Sequence, residues 1–293
     1  MELRRRFIFR GNAAAIGGRI VRPTDVVIDS STASSLTVAG GRSRSKAGAT
    51  RFGEFVSFGA ASTSAEGLFD DVKQQIELSF GRVAEDALTM STDVHTDVTS
   101  LSVGDKPKLT IKHLHAALNS KSPAASGEPA IAVGNETTIE GAAIDGFGLV
   151  VTLAVPLFQR FDTQSKLLTA ADDPQFVQKS GGHLLMKPAG RGKAVVAPSR
   201  LIQSYGTTYA TIVRSIKWQA DPFPGATIDQ HLVTVPGFGR IFFGELLITD
   251  VSRRLTMVRI ELGATDGTRA TRGISLGGAV ACAEVDSNGT WSN

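Results

Sequence analysis

Three of the five histidines lie within a stretch of twenty-one residues, where their spacing could bring them together. Side chains alternate between the two faces of a β-strand, so His95 and Asp97 project from one face if their segment is a strand. His113 and His115 share a face for the same reason. Imidazole and carboxylate groups on one surface are typical ligands of zinc and non-haem iron. These four residues are therefore the first candidates for chemistry.

A turn between the two segments would place the four side chains opposite each other. The sequence Gly-Asp-Lys-Pro at 104–107 is a strong turn signal. If residues 104–106 form a three-residue loop, His95 lies opposite His115, and Asp97 lies opposite His113, with Cβ atoms about 4.5–5.5 Å apart. We therefore expect His95, Asp97, His113 and His115 to bind one transition-metal ion, with zinc, iron or manganese as candidates.

The alternative is that the histidines are ordinary polar side chains beside a core. Strict alternation puts four apolar side chains on the same face as the histidines: Leu101, Val103, Leu109 and Ile111. A slip of one residue in strand pairing would also separate the proposed ligands. The segment 114–118 could instead be helical.

Other catalytic patterns are missing from the sequence. There is no GxSxG, no phosphate-binding loop and no GxGxxG, so no catalytic residue is assigned. The single cysteine, Cys282, excludes an intramolecular disulfide and any cysteine-rich metal motif. It lies in an apolar run and is expected to be an inert buried thiol.

Charge is concentrated at the N-terminus. Residues 1–51 hold ten basic and three acidic residues, while residues 52–293 hold 21 basic and 25 acidic ones. We expect a basic N-terminal arm that contacts a polyanion or an acidic surface on a neighbouring subunit. The residues assigned to this contact are Arg4, Arg5, Arg6 and Arg10.

The most apolar stretch, residues 232–263, predicts the element around which the fold is built. It reads as a β-hairpin in the middle of a sheet, with strands near 240–250 and 255–262. Glu245 lies inside the first strand and is expected to pair with Arg259 on the second, because buried charges are usually paired. The residues expected to be buried are Phe242, Phe243, Leu246, Val258 and Ile260.

The rest of the chain also favours strands. Segments rich in Val, Thr and Ser are separated by turns containing Gly and Pro, which predicts a mainly β fold. We expect antiparallel sandwich or barrel-like sheets with one or two short helices, one within 65–80, where 76–80 could instead be strand, and one at 165–171. Residues 1–118 form an N-terminal β unit with the basic arm, and residues 130–293 a C-terminal β unit, unless the two make one continuous domain. Residues 119–129 would be a linker or a long surface loop.

A β-rich chain with few motifs and a basic arm is typical of a non-catalytic, self-assembling structural or binding protein. We expect a homo-oligomer. The alternative is a metal-dependent enzyme that uses the His/Asp cluster, and a carbohydrate- or nucleic-acid-binding module is a third option. No segment has the length and hydropathy of a transmembrane helix, and the arginine-rich start is a weak export signal. A cytoplasmic protein without a membrane partner is therefore expected.

Overall fold

The computed structural model describes residues 7–23, 25–69, 88–125, 128–171, 173, 175, 183, 207–263 and 277–291. These residues form two antiparallel sheets and two short helices. The strands are β1 (Phe7–Arg22), β2 (Val26–Ser35), β3 (Gly41–Ala47), β4 (Thr50–Phe52), β5 (Val56–Phe58), β6 (Ala60–Phe69), β7 (Thr89–Gly104), β8 (Lys108–Pro123), β9 (Ala130–Val133), β10 (Thr138–Glu140), β11 (Ala142–Ile144), β12 (Phe147–Leu153), β13 (Thr207–Thr211), β14 (Val213–Trp218), β15 (Thr227–Asp229), β16 (Leu232–Val235), β17 (Gly239–Thr249), β18 (Ser252–Leu262) and β19 (Gly277–Trp291). The helices are α1 (Val155–Arg160) and α2 (Gln164–Ala171).

The first sheet runs in the order β15-β16-β17-β18-β19-β1-β2, and β13 also pairs with β17. The second runs β14-β12-β11-β8-β7-β5-β4, with β9 and β10 on β8 and with β6 joining β3 to β7. Both sheets are open within the described residues, so the sandwich-like form of the predicted mainly β fold is confirmed. Each sheet takes strands from both sides of the segment 119–129.

The two sheets face each other across one apolar core. Most buried apolar side chains of both sheets belong to one large hydrophobic cluster, and a smaller one holds Phe9, Leu88, Met90 and Ala124. Hydrogen bonds also cross the gap between the sheets: Thr96 Oγ1 in β7 donates to the carbonyl oxygen of Glu284 in β19 over 3.3 Å. Ser34 Oγ in β2 donates to the carbonyl oxygen of Thr63 in β6 over 3.2 Å. The layers are therefore in direct contact.

The central hairpin is confirmed as β17 and β18, which lie inside the first sheet. Phe243, Leu246, Val258 and Ile260 are buried as expected. Phe242 is only half-buried, so that prediction was wrong. Its ring lies on the outer face of the sheet.

The reason is that Phe242 and Phe243 are neighbours on a strand and project from opposite faces, and the face of Phe243 is the one that meets the core. The side-chain faces also invert in the middle of β17. Phe243 and Glu245 flank Gly244, whose φ is +59°, and they lie on opposite faces although strict alternation would put them together. Pairing with β18 continues in the same register on both sides, with Phe243 opposite Val258 and Glu245 opposite Thr256. A left-handed φ turns the backbone out of the regular pleat, so the change of face needs no inserted residue.

The inversion extends across five strands of the first sheet, and we call this line the first crease. The strand registers put its members side by side in the order Gly244, Met257, Ala283, Ala15 and Thr32. Alternate members have a positive φ, which is +51° at Ala283 and +54° at Thr32. Neighbouring strands thus invert together, and their core-facing side chains stay matched.

A second crease crosses the other sheet through Ser100, Lys112 and Gly141. The registers of β7, β8, β10 and β11 place these residues side by side. The φ angle is +54° at Ser100 and +62° at Gly141. On β7 the core-facing residues therefore change from Val98 to Leu101, three positions apart. This crease lies next to the predicted histidine cluster.

Two local predictions need correction, while the helix near 165–171 is confirmed. Ala60–Phe69 is a strand, so the helix expected over 65–80 is wrong in its first part, and residues 70–80 lie outside the described residues. The expected linker at 119–129 is shorter than predicted, because β8 continues to Pro123. The division into units 1–118 and 130–293 stays a prediction.

Arg253 ties helix α1 to the central hairpin. It is 1% exposed and donates hydrogen bonds to the carbonyl oxygens of Phe158 and Phe161 at the end of α1. The last carbonyls of a helix lack partners within it, so the guanidinium satisfies groups that would otherwise be unpaired. Burial lowers the pKa of Arg253 to about 10, despite the opposing charges of Asp162 and Glu128.

The N-terminal segment is a strand from Phe7 onwards. β1 lies between β19 and β2, and Arg10 projects from it as an exposed side chain. Arg4, Arg5 and Arg6 lie outside the described residues. Neither described helix is long and apolar enough to span a membrane.

Candidate metal centre

Strands β7 and β8 form the predicted hairpin, but their register differs from the prediction. Gly104 pairs with Lys108, so the loop is residues 105–107 and not 104–106. Asp97 therefore lies opposite His115, whereas the sequence predicted His113 there. His95 lies opposite Ala117. The error is two residues, an even number, so the four predicted ligands remain on one face.

Asp97 is the centre of the cluster. Its Oδ2 atom is 2.6 Å from His113 Nε2 and 3.2 Å from His115 Nδ1. Burial alone would raise the pKa of Asp97, but the hydrogen bonds from His113 and His115 outweigh it and lower the pKa below its ordinary value. The carboxylate is thus held as an anion between two rings.

His95 has a different carboxylate partner, Glu136. The distance from His95 Nδ1 to Glu136 Oε1 is 3.2 Å. Glu136 belongs to the turn between β9 and β10, which is fixed over Ala117 by two hydrogen bonds. Gly134 N donates to the Ala117 carbonyl oxygen over 2.9 Å, and Ala117 N donates to Thr137 Oγ1 over 3.2 Å. Because Ala117 faces His95 across the strand pair, this turn brings Glu136 to the histidine.

The predicted ligands thus form two overlapping groups that share His115. One group is Asp97, His113 and His115, and the other is His95, His115 and Glu136. Within each group one ligand atom per residue lies within 4.8 Å of the others. The His95 and His115 rings have centroids 6.0 Å apart, and those of His113 and His115 are 6.3 Å apart. All four predicted residues are therefore brought together, and Glu136 joins them.

The second crease keeps the apolar side chains nearest the hairpin turn off the face that carries this cluster. Leu101 and Ile111 are fully buried on the inner face, whereas Asp97 and His113 lie on the outer face across the crease. The four apolar residues expected on the histidine face are therefore not there. The cluster is partly open to solvent, with side-chain exposures from 20% at His115 to 44% at Glu136.

His115 has one ring nitrogen without a partner. Its Nδ1 faces Asp97, while its Nε2 is buried and makes no hydrogen bond within the described part of the chain. A buried polar atom is normally satisfied by protein, water or an ion. This nitrogen is therefore a feature of the cluster that the protein side chains do not account for.

Three other titratable residues considered in the sequence, Glu245, Arg259 and Cys282, have structural roles. Arg259 Nε and Nη2 donate to the two oxygens of Glu245 over 2.6 and 2.9 Å, which confirms the expected ion pair. The Arg259 guanidinium also lies 3.8 Å from the centre of the Phe242 ring. Burial raises the pKa of the Cys282 thiol to about 12, so this cysteine is a poor nucleophile.

Comparison with curated proteins and with solved structures finds no match. One protein family, described as a domain of unknown function (DUF8256), matches residues 7–249. The matched region extends from the start of β1 to the end of β17 and includes all five residues of the cluster. Because this region is most of the sequence, the chain belongs to the DUF8256 family.

Proposed function

We propose that this protein is a non-catalytic binding and assembly protein that holds a transition-metal ion on the outer face of its second sheet. The observation that carries the proposal is the convergence of three imidazoles and two carboxylates, with His113 and His115 both at Asp97 Oδ2. Nitrogen and carboxylate oxygen ligands in such a set suit zinc, iron and manganese. An oxygen-only site for calcium would not need imidazoles.

The local structure supports binding of an ion from solution. His95, Asp97, His113 and His115 project from paired strands, β7 and β8, whose backbone is fixed by the sheet, while Glu136 is held over them by the β9–β10 turn. The side chains are open enough for an ion to enter. Sites built on strands hold their ligands more accurately than sites on loops.

Metal analysis tests the proposal directly. Protein purified without chelator should contain one ion per chain by elemental analysis, or should take up one Zn²⁺ in calorimetric titration, with a rise in melting temperature. His115→Ala should abolish both effects, since His115 belongs to both groups. His231→Ala is the matched control, because His231 lies near Glu245, away from the cluster. Wild-type protein with only trace metal and no thermal response would overturn the proposal.

Self-association is the second part of the proposal. β2 ends the order of the first sheet and pairs only with β1 among the described strands. Val27 on β2 is 60% exposed, and Val21 on β1 is 46% exposed. A sheet edge with exposed apolar side chains favours pairing with another chain.

Sedimentation over a range of concentrations tests this part. Wild-type protein should form a homo-oligomer, and Val27→Lys should shift it towards the monomer without loss of folded structure. Lys217→Val, a change of the opposite kind on β14 of the other sheet, serves as a control for altered surface charge and should leave the association constant unchanged. A protein that sediments as a monomer at every concentration would rule out the self-association.

The metal-dependent enzyme is the second candidate, and the openness of the cluster favours it. A catalytic ion needs a coordination position open to water or substrate, and Glu136 is 44% exposed. Zn²⁺- or Mn²⁺-loaded protein should then hydrolyse simple esters or phosphoesters faster than His115→Ala does. Equal rates for wild type and His115→Ala would rule out the metal-dependent enzyme but would not contradict metal binding.

A further inference from the structure

We propose that the ion is bound by His95, His115 Nε2 and Glu136, and that Asp97 is a positioning residue that orients His115 through its Nδ1–H. This inference rests on the proposed metal binding and names its ligands. It moves Asp97 and His113 out of the direct ligand set and brings Glu136 into it.

His115 carries its ring hydrogen on Nδ1. Its Nδ1 is 3.2 Å from Asp97 Oδ2, and a carboxylate can only accept a hydrogen bond. Nδ1 therefore carries the hydrogen. In a neutral imidazole, Nε2 is then unprotonated and has a free lone pair.

The lone pair on His115 Nε2 lies inside the protein without a hydrogen-bond donor among the described residues. Nε2 is buried, and no described residue donates a hydrogen bond to it. An unprotonated imidazole nitrogen of this kind is the form that binds a metal. An ion bound here would satisfy the nitrogen without changing the hydrogen bond on the other side of the ring.

His95 and Glu136 are close enough to His115 to complete the ligand set. His95, His115 and Glu136 each have a ligand atom within 4.8 Å of those of the other two. Glu136 Oε1 and His95 Nδ1 are already 3.2 Å apart. Two imidazoles and one carboxylate are a common three-residue set for zinc and leave a fourth position for water.

Asp97 and His113 then form the supporting layer. A metal-binding histidine usually donates its other ring N–H to a carboxylate, which fixes the tautomer and the orientation of the ring. His113 Nε2, 2.6 Å from the same Asp97 oxygen, restrains the carboxylate from the other side. The two groups that share His115 therefore have different roles.

Calorimetric titration of the full chain with Zn²⁺ separates these roles. Wild-type protein should bind one ion. Glu136→Gln and His95→Ala should abolish saturable binding. Asp97→Asn should keep one ion but bind it about 10–100-fold more weakly, as expected for loss of an orienting carboxylate. Glu140→Gln is the matched control, since this exposed glutamate lies opposite His113 on β10 and should bind like the wild type.

Spectra of the Co²⁺-loaded protein give a readout that a purely structural role would not produce. Asp97→Asn should retain the visible absorption bands of the wild type at saturating Co²⁺, because its ligands are unchanged, and Asp97→Glu should recover part of the affinity. Circular dichroism of each variant checks that it is folded.

The opposite results overturn the assignment. Loss of binding in Asp97→Asn with normal binding in Glu136→Gln would place the ion at Asp97, so that metal binding stands and the ligand assignment fails. Two ions per wild-type chain would make Asp97 a ligand, with the same consequence. No ion in the wild type would end both proposals.

Discussion

On the outer face of each sheet, one carboxylate accepts hydrogen bonds from the basic side chains around it. Asp97 accepts from two imidazoles, while Glu245 accepts both donors of one guanidinium. In each case burial opposes ionisation and hydrogen bonds restore it. Period-two spacing was enough to put Asp97 and the histidines on one face, whereas the Glu245–Arg259 pair was predicted from the position of the hairpin turn.

Glu245 should make the stability of the protein depend on pH. Burial would raise its pKa, but hydrogen bonds from Arg259 and His231 lower it from 4.5 to about 2. Since the folded-state pKa is the lower one, the stabilisation is complete above the unfolded pKa and is lost as the pH falls towards 2, by ~3 kcal/mol. Urea unfolding of wild type and Glu245→Gln should differ most at pH 7 and converge at low pH.

Glu261→Gln is the control for this measurement. Glu261 also contacts Arg259 but is a third exposed, so its loss should cost less at pH 7. Parallel pH profiles for wild type and Glu245→Gln would contradict the prediction.

The contact between Glu136 and His95 could not be predicted from the sequence. Glu136 follows His115 along the chain with one further strand, β9, in between, and the pairing of β9 and β10 with β8 brings it to His95. No local pattern reports such a contact. A glutamate within a turn between short apolar segments was the only available signal.

Among the elements, the creases explain why strand boundaries were predicted better than strand faces. The sequence located β17, β18 and the turn of the β7–β8 hairpin. Strict alternation then put apolar side chains beside the histidines, and the uninterrupted apolar run of β17 put Phe242 in the core; both expectations were wrong. The inversion depends on residues such as Thr32, Ser100 and Ala283. A positive φ is uncommon for these residue types, so the sequence does not predict it.

Thr32 should be a site where a mutation stabilises the fold. A β-branched residue at φ +54° is strained, and its hydroxyl is buried without a hydrogen-bond partner among the described residues. Thr32→Gly should raise the free energy of unfolding by ~1 kcal/mol, after the higher entropy of glycine in the unfolded chain is included.

The neighbouring residue provides the comparison. Ala33 pairs regularly with Ala14, so Ala33→Gly should lower the free energy of unfolding by about 0.5–1 kcal/mol. Chemical denaturation of both variants measures the two signs. A loss of stability in Thr32→Gly would show that the side chain has a packing role that outweighs the strain.

The two phenylalanines beside the first crease should differ in their contributions to stability. Phe243 is fully buried, and Phe243→Ala should cost about 3–5 kcal/mol through lost burial and the cavity left behind. Phe242 is half-buried on the outer face under Arg259, so Phe242→Ala should cost less. Equal losses in denaturant unfolding would mean that Phe242 is as deeply buried as Phe243 and that both faces of β17 are covered in solution.

For the whole molecule, the sandwich-like fold could be predicted from composition and alternation, whereas the order of its strands could not. β1 pairs with β19 from the opposite end of the chain, and such distant pairing leaves no trace in local sequence. Phe7 also packs against Trp291, with ring centroids 5.2 Å apart. The first strand is therefore part of the fold as well as the carrier of Arg10.

This pairing decides how the predicted basic arm should be tested. Deleting residues 1–10 would remove the contact between Phe7 and Trp291 together with the charge. The combined substitution Arg4→Ser, Arg5→Ser and Arg6→Ser should instead weaken binding to a polyanion such as heparin, most strongly at low salt, and leave the melting temperature unchanged. Unchanged elution from a heparin column would contradict a role for these charges.

The second crease has a consequence for how the protein can change over evolutionary time. It reverses the face that points into the core halfway along β7 and β8, so that Leu101 and Ile111 are buried on one side of it, Val98 and Leu114 on the other, and Asp97 and His115 lie on the outer face. Substitutions in the outward-facing positions leave the buried ones untouched. Members of this family could therefore lose the histidines, or acquire different ligands, while keeping the same strands in the same register.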